Sequence, residues 1–98
     1  MSYRYPNLEL DPDETLLGFF PYPTAMTTKK GFHRITFQSA TKRYNVYLSS
    51  VVAGEINALE PPISPDDIVE ARGTKSGVRL RLLERGGWRR LREKKLNA

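Results

Sequence analysis

The sequence has no cysteine and a single histidine, His33. Without thiols there is no disulfide framework, no thiolate nucleophile and no cysteine-based zinc site, a composition that suits a reducing compartment. Long apolar runs are missing as well. The longest uncharged, mainly apolar stretch, Leu16 to Met26, is broken by Gly18, Pro21 and Pro23. It falls well short of the roughly 20 residues needed to cross a bilayer, so no membrane association is expected. Residues Met1 to Leu10 carry Arg4 but no apolar core of the signal-peptide kind. A cytoplasmic protein is the expectation.

Basic residues are what the chain has in excess: 98 residues hold 16 Lys+Arg against 11 Asp+Glu, a formal charge of +5. A chain this short buries only about 60 to 65% of its unfolded surface, which allows one domain, a small core and little room for an internal catalytic cavity. The charge is uneven, with net −3 over residues 1–28, +3 over 29–84 and +5 over 85–98. Clustered cations release condensed counterions when they meet phosphates, so a basic half ending in a basic tail is the footprint of a polyanion binder.

Three regions follow from the pattern. Residues 1–12, with two prolines and no periodicity, read as an extended N-terminal arm; 13–85 as the domain; 86–98 as a basic C-terminal extension. Within the domain, residues 14–22 (ETLLGFFPY) suit a strand stopped by Pro21 and Pro23, with Gly18 marking a bulge. The polar segment 23–31 reads as a flexible loop. GFHRITFQS alternates with period two and places Ile35 and Phe37 inward; RYNVYLS places Tyr44, Val46 and Leu48 on one face and Asn45 and Tyr47 on the other. The two form a hairpin whose other face presents Arg34, Arg43 and Tyr47. Ser49 or Ser50 then caps a helix carrying Val52, Ile56 and Leu59, ended by Pro61 and Pro62. Residues 63–73 (ISPDDIVEARG) satisfy either a capped helix start or a turn at Pro65-Asp66 followed by a strand, and the strand fits the flanking signals better. After a turn over 73–77, Val78, Leu80 and Leu82 point inward and Arg79, Arg81 and Leu83 outward. The tail from Gly86 is open to a short helix, a hairpin arm or disorder.

Five short strands with one helix between the third and fourth predict an all-β fold, a small five-stranded OB-like Greek-key barrel; an SH3-like barrel is the alternative. The layout of GFHRITFQS, a short strand, a helix and then Ser64-Pro65-Asp66-Asp67-Ile68-Val69-Glu70-Ala71-Arg72-Gly73 resembles that of bacterial single-stranded DNA-binding proteins and other small OB-fold proteins. The likeness spans roughly Thr15 to Glu84, and it implies a barrel that binds single-stranded nucleic acid. The acidic, glycine-rich tail of that family is replaced here by a basic one.

Catalysis has little to work with. Asp11/Asp13 and Asp66/Asp67 sit in turn-like surroundings where they cap or solvate, and GTKSG has neither the length nor the residue order of a phosphate-binding loop. No enzyme, cofactor or metal is expected. Single strands are held by cations that track phosphates and aromatic faces that stack bases. The candidates for that chemistry are Lys29, Lys30, Phe32, Arg34, Lys42, Arg43, Tyr44 and Tyr47 on the hairpin, Lys75, Arg79 and Arg81 beyond it, and Trp88, Arg89 and Arg90 in the tail. The leading expectation is a sequence-tolerant binder of single-stranded DNA or RNA. The alternative is a non-catalytic adaptor that docks on an acidic protein partner through its basic face, with Trp88 as anchor.

Overall fold

The computed structural model describes residues 5–91; the start of the arm before Tyr5 and the extension beyond Leu91 lie outside the described residues. The described residues are mostly β, with two antiparallel three-stranded sheets, one eight-residue helix and a helical turn at 88–91. The first sheet has the order β1 (Thr15–Gly18), β5 (Asp67–Thr74), β6 (Gly77–Gly87), and the second the order β2 (Met26–Thr27), β3 (His33–Gln38), β4 (Arg43–Leu48). Among the described residues a single bridge joins them: Phe19 and Gln38 exchange two backbone hydrogen bonds of 2.9 Å. Among the described residues no ladder joins β4 to β6, so the two sheets leave an open seam there.

Period-two patterning explains most of this. Ile35 and Phe37 of β3 pair with Val46 and Tyr44 of β4, and Ile35, Phe37 and Val46 are buried, together with Phe20, Val69 and Ala71. The Phe20 and Phe37 rings meet edge to face at 6.3 Å, a favoured aromatic geometry. On β6, Val78, Leu80 and Leu82 pack against this core while Arg79, Arg81 and Leu83 are exposed, as the alternation requires. The ambiguous segment 63–73 is a turn followed by strand β5: the β-branched Ile68-Val69 pair is buried between neighbours on both sides.

The helix, α1 (Ser50–Asn57), starts where expected: Ser49 Oγ accepts the Val52 backbone N–H at 3.2 Å. It ends at Asn57, before the prolines. The Asn57 side chain exchanges two hydrogen bonds with the Ala25 backbone, which ties the preceding connection to the helix.

Three expectations change. Gly18 is no bulge: β1 keeps its register with β5, and a Cβ at Gly18 would run into the Gln38 carbonyl oxygen and the Phe37 ring. Glycine is needed because the second sheet crosses there at backbone contact. The 23–31 segment is not loop throughout, because Met26–Thr27 pairs with β3 and Thr28 closes the Lys29-Lys30 turn through bonds to Phe32 and Gly31. The arm does not merely run over the surface. Pro6 to Leu8 adds to the edge of β4 through paired backbone bonds with Asn45, the Asn45 amide donates to the Tyr5 carbonyl, and Leu8 is only 8% exposed. At its far end the Asp11 carbonyl lies against Gly73, where a Cβ would collide with it. No helix is long and apolar enough to cross a membrane among the described residues.

Candidate nucleic-acid interface

With Ile35 and Phe37 inward, the alternate residues of β3 must face out, and the register sets their neighbours. Met26, Arg34 and Tyr47 form one row across β2, β3 and β4; Thr36 and Asn45 form the next, and Gln38 and Arg43 the last. Each row lies two residues from the next, about 6.7 Å along a strand.

At one end of this face Phe32 is 58% exposed and Tyr47 52%, their rings edge to face with centroids 6.4 Å apart. Single exposed aromatics are ordinary on a protein surface. Here two of them touch each other beside an exposed methionine, Met26, with the half-buried Arg34 between Met26 and Tyr47. Arg34 has no ion-pair partner among the described residues. Lys29 and Lys30 are exposed on the turn that delivers Phe32. Aromatic faces, an unpaired guanidinium and two ammonium groups therefore converge.

At the other end Arg43 is already engaged. Its Nε donates to Gln38 Oε1 at 2.8 Å, and Nη1 donates to the hydroxyls of Tyr5 and Tyr22, each at 3.3 Å. The guanidinium lies over both tyrosine rings at 5.6 Å from each centroid. The Tyr5 hydroxyl bond, with the Tyr22 bond and the tyrosines' charge interactions behind it, pushes the Arg43 pKa up against a smaller opposing effect of burial. Arg43 thus acts here as the clamp that sets Tyr22, itself 58% exposed, on the sheet face. Lys42 is exposed beside it on the β3–β4 turn, which Ser39 closes.

The other candidates lie elsewhere. Tyr44 is directly opposite Phe37 and packs against the core, so the sheet face does not include it. Lys75, Arg79 and Arg81 belong to the β5–β6 sheet across the seam, where Arg81 pairs with Glu70 at 3.6 Å. The seam holds a groove of about 790 Å³ whose lining includes Tyr47, Leu48, Val52, Glu55, Arg79 and Arg81. Tyr47 is common to the groove and the sheet face.

Trp88 is the largest departure. Expected as an exposed anchor among arginines, it is 7% exposed and packs at a tilt against the Phe19 ring, 5.2 Å between centroids. The cause lies in the Asp66-Asp67 pair. Asp67 is buried; its Oδ1 accepts the Gly86 N–H at 2.7 Å and its Oδ2 the Ser64 N–H at 2.9 Å and Arg85 Nη1 at 3.4 Å. Asp66 accepts the Gly87 and Arg89 N–H groups at 3.1 Å each, and its carbonyl accepts the Trp88 N–H. The Arg89 and Gly87 backbone bonds, helped by the Arg89 and Arg90 charges, hold the Asp66 carboxyl below its ordinary pKa. These contacts fold the end of β6 back, turn residues 88–91 into helical backbone and bury the indole, leaving Arg89 and Arg90 exposed on that turn. The carboxylates cap, as expected.

Tyr22, Met26 and Tyr5 were not legible as members of this surface. Tyr22 sits between two prolines, and an aromatic in so stiff a segment was the available signal. His33 is half-buried on β3, with its Nδ1 3.3 Å from Thr27 Oγ1. No group of three or more His, Cys, Asp or Glu among the described residues could hold a metal ion. No family model, curated protein or solved structure matches this chain, so its function is read from the geometry alone.

Proposed function

We propose that the chain binds single-stranded DNA or RNA, with little sequence preference, on the outer face of β2, β3 and β4. The observation that carries this reading is the exposed Phe32–Tyr47 pair beside Arg34. Exposed rings on a sheet offer faces to unpaired bases, each stack being worth about 1 to 3 kcal/mol, and they discriminate little because every base has a π-face. Lys29, Lys30 and Lys42 border the same face and would meet phosphates.

The order of strands supports an OB-like frame. Setting aside the two-residue β2, neighbours run β4, β3, β1, β5, β6, with the Phe19–Gln38 bridge between β3 and β1 and α1 between the third and fourth long strands. OB folds are partly open five-stranded barrels that take oligonucleotides on the face of strands two and three, here β3 and β4. A meander of the SH3 type would set the first strand beside the last, whereas β1 pairs with β5. The burial of Trp88 takes from the adaptor reading its anchor.

Fluorescence anisotropy with a labelled single-stranded oligonucleotide tests this. Three phosphate contacts would give a slope of about −2 in log affinity against log salt. Absence of binding at low salt, or a slope near zero, rejects it.

A further inference from the structure

We infer that the seam between β4 and β6 accepts an extended acidic peptide strand of another protein, added to the free edge of β6. This surface is separate from the sheet face assigned to nucleic acid except at Tyr47. β6 is eleven residues long and pairs, among the described residues, with β5 alone. Its other edge presents a row of unpaired backbone N–H and C=O groups, the template on which a further strand adds. The chain covers the matching edge of β4 with its own Pro6–Leu8 segment and, among the described residues, supplies nothing equivalent to β6.

The side chains on the seam say what the added strand must look like. Leu48, Val78 and Leu80 line the groove while packing, half-buried, against the core, so one face of an inserted strand meets apolar surface. Its alternate residues point outward with Arg79 and Arg81, both exposed. Arg79 lies opposite Arg72 in the β5–β6 ladder and has no ion-pair partner among the described residues, since the carboxylate beside Arg72, Asp13, pairs with Arg72; Arg81 shares only an exposed 3.6 Å contact with Glu70, and Glu55 of α1 lines the same groove. A carboxylate on the free side of β6 offsets both. A second copy pairing its β6 antiparallel about Arg79, Leu80 or Arg81 sets an arginine directly across from another, so it fits this stretch of edge less well than an acidic strand. A nucleic acid has no amide ladder to offer the edge. The occupant that matches is a peptide alternating acidic and apolar residues.

The test uses the full chain and a fluorescein-labelled peptide of alternating aspartate and valine, beside a lysine–valine version and an aspartate–valine version with central proline. The acidic peptide is expected to bind, to bind about tenfold more weakly to the Arg79→Gln/Arg81→Gln variant, and to lose binding with proline, which cannot donate to the ladder. Oligonucleotide affinity of that variant is expected to change less than about threefold, so the result stands whether or not the sheet face binds nucleic acid. Amide exchange on the unsubstituted chain is expected to slow along β6 when the acidic peptide is added. Equal binding of the lysine peptide, indifference to proline, no binding at all, or loss of oligonucleotide in place of peptide overturns the proposal. So does a concentration-dependent dimer with protected β6 amides, which would make a second copy the occupant.

Discussion

The outer faces of the two sheets both carry arginines and use them differently. On and around β5 and β6, Arg72 pairs with Asp13, Arg81 with Glu70 and Arg85 with Asp67. On β3 and β4, Arg34 lies between Met26 and the exposed Tyr47, and Arg43 is clamped by two tyrosines. Apart from Arg79, which lies opposite Arg72, the first face spends its cations on carboxylates of its own fold. The second combines them with aromatic rings and offers both outward. Net charge alone does not tell these faces apart; the company each guanidinium keeps does.

If the contrast is right, substitutions on the two faces separate affinity from stability. The largest effect belongs to Phe32→Ala/Tyr47→Ala, expected to cost about 2 to 5 kcal/mol in oligonucleotide binding, read by anisotropy, while stability moves by less than about 0.5 kcal/mol because both rings are exposed. The reverse is expected of Asp67→Ala. It removes the buried carboxylate that accepts the Ser64 and Gly86 N–H groups and the Arg85 guanidinium, and chemical denaturation should show a loss of about 2 to 4 kcal/mol, with oligonucleotide affinity of the folded protein retained.

A smaller effect attaches to Asp66. Its carboxyl is held below its ordinary pKa, so the stability it contributes is present above the unfolded value and is lost as pH falls through the lower folded value. Asp66→Asn should therefore lower the denaturant midpoint at neutral pH, and the gap to the unsubstituted chain should close below about pH 4, the ordinary aspartate range. The smallest effect is expected for Arg81→Ala, where an exposed ion pair contributes about 0 to 1 kcal/mol to stability.

The same contrast explains what was legible in the sequence. The β3–β4 hairpin, the Ser49 cap and the β6 alternation rest on local periodicity and local hydrogen bonds, and residues such as Ile35, Phe37, Val46 and Leu80 announce their side by spacing. Placements set by contacts distant along the chain did not show. Trp88 is buried by Phe19 and by backbone bonds to Asp66, and nothing in RGGWRRL distinguishes that from an exposed anchor. Leu8 is buried because Asn45 takes the arm as an added strand, and Gly18 is glycine because Gln38 crosses it. Of the candidate site, Phe32, Arg34 and Tyr47 could be read from alternation next to core positions. Tyr22 and Tyr5 could not, since Arg43 gathers them only in the folded chain.

Oligonucleotide affinity measured against salt for the unsubstituted chain, Phe32→Ala/Tyr47→Ala and Arg79→Gln/Arg81→Gln tests the central claim most directly. The account predicts salt-dependent binding that falls at least about thirtyfold in the aromatic variant and less than about threefold in the arginine variant. Binding that survives the loss of both rings, or that disappears with Arg79 and Arg81, would contradict it.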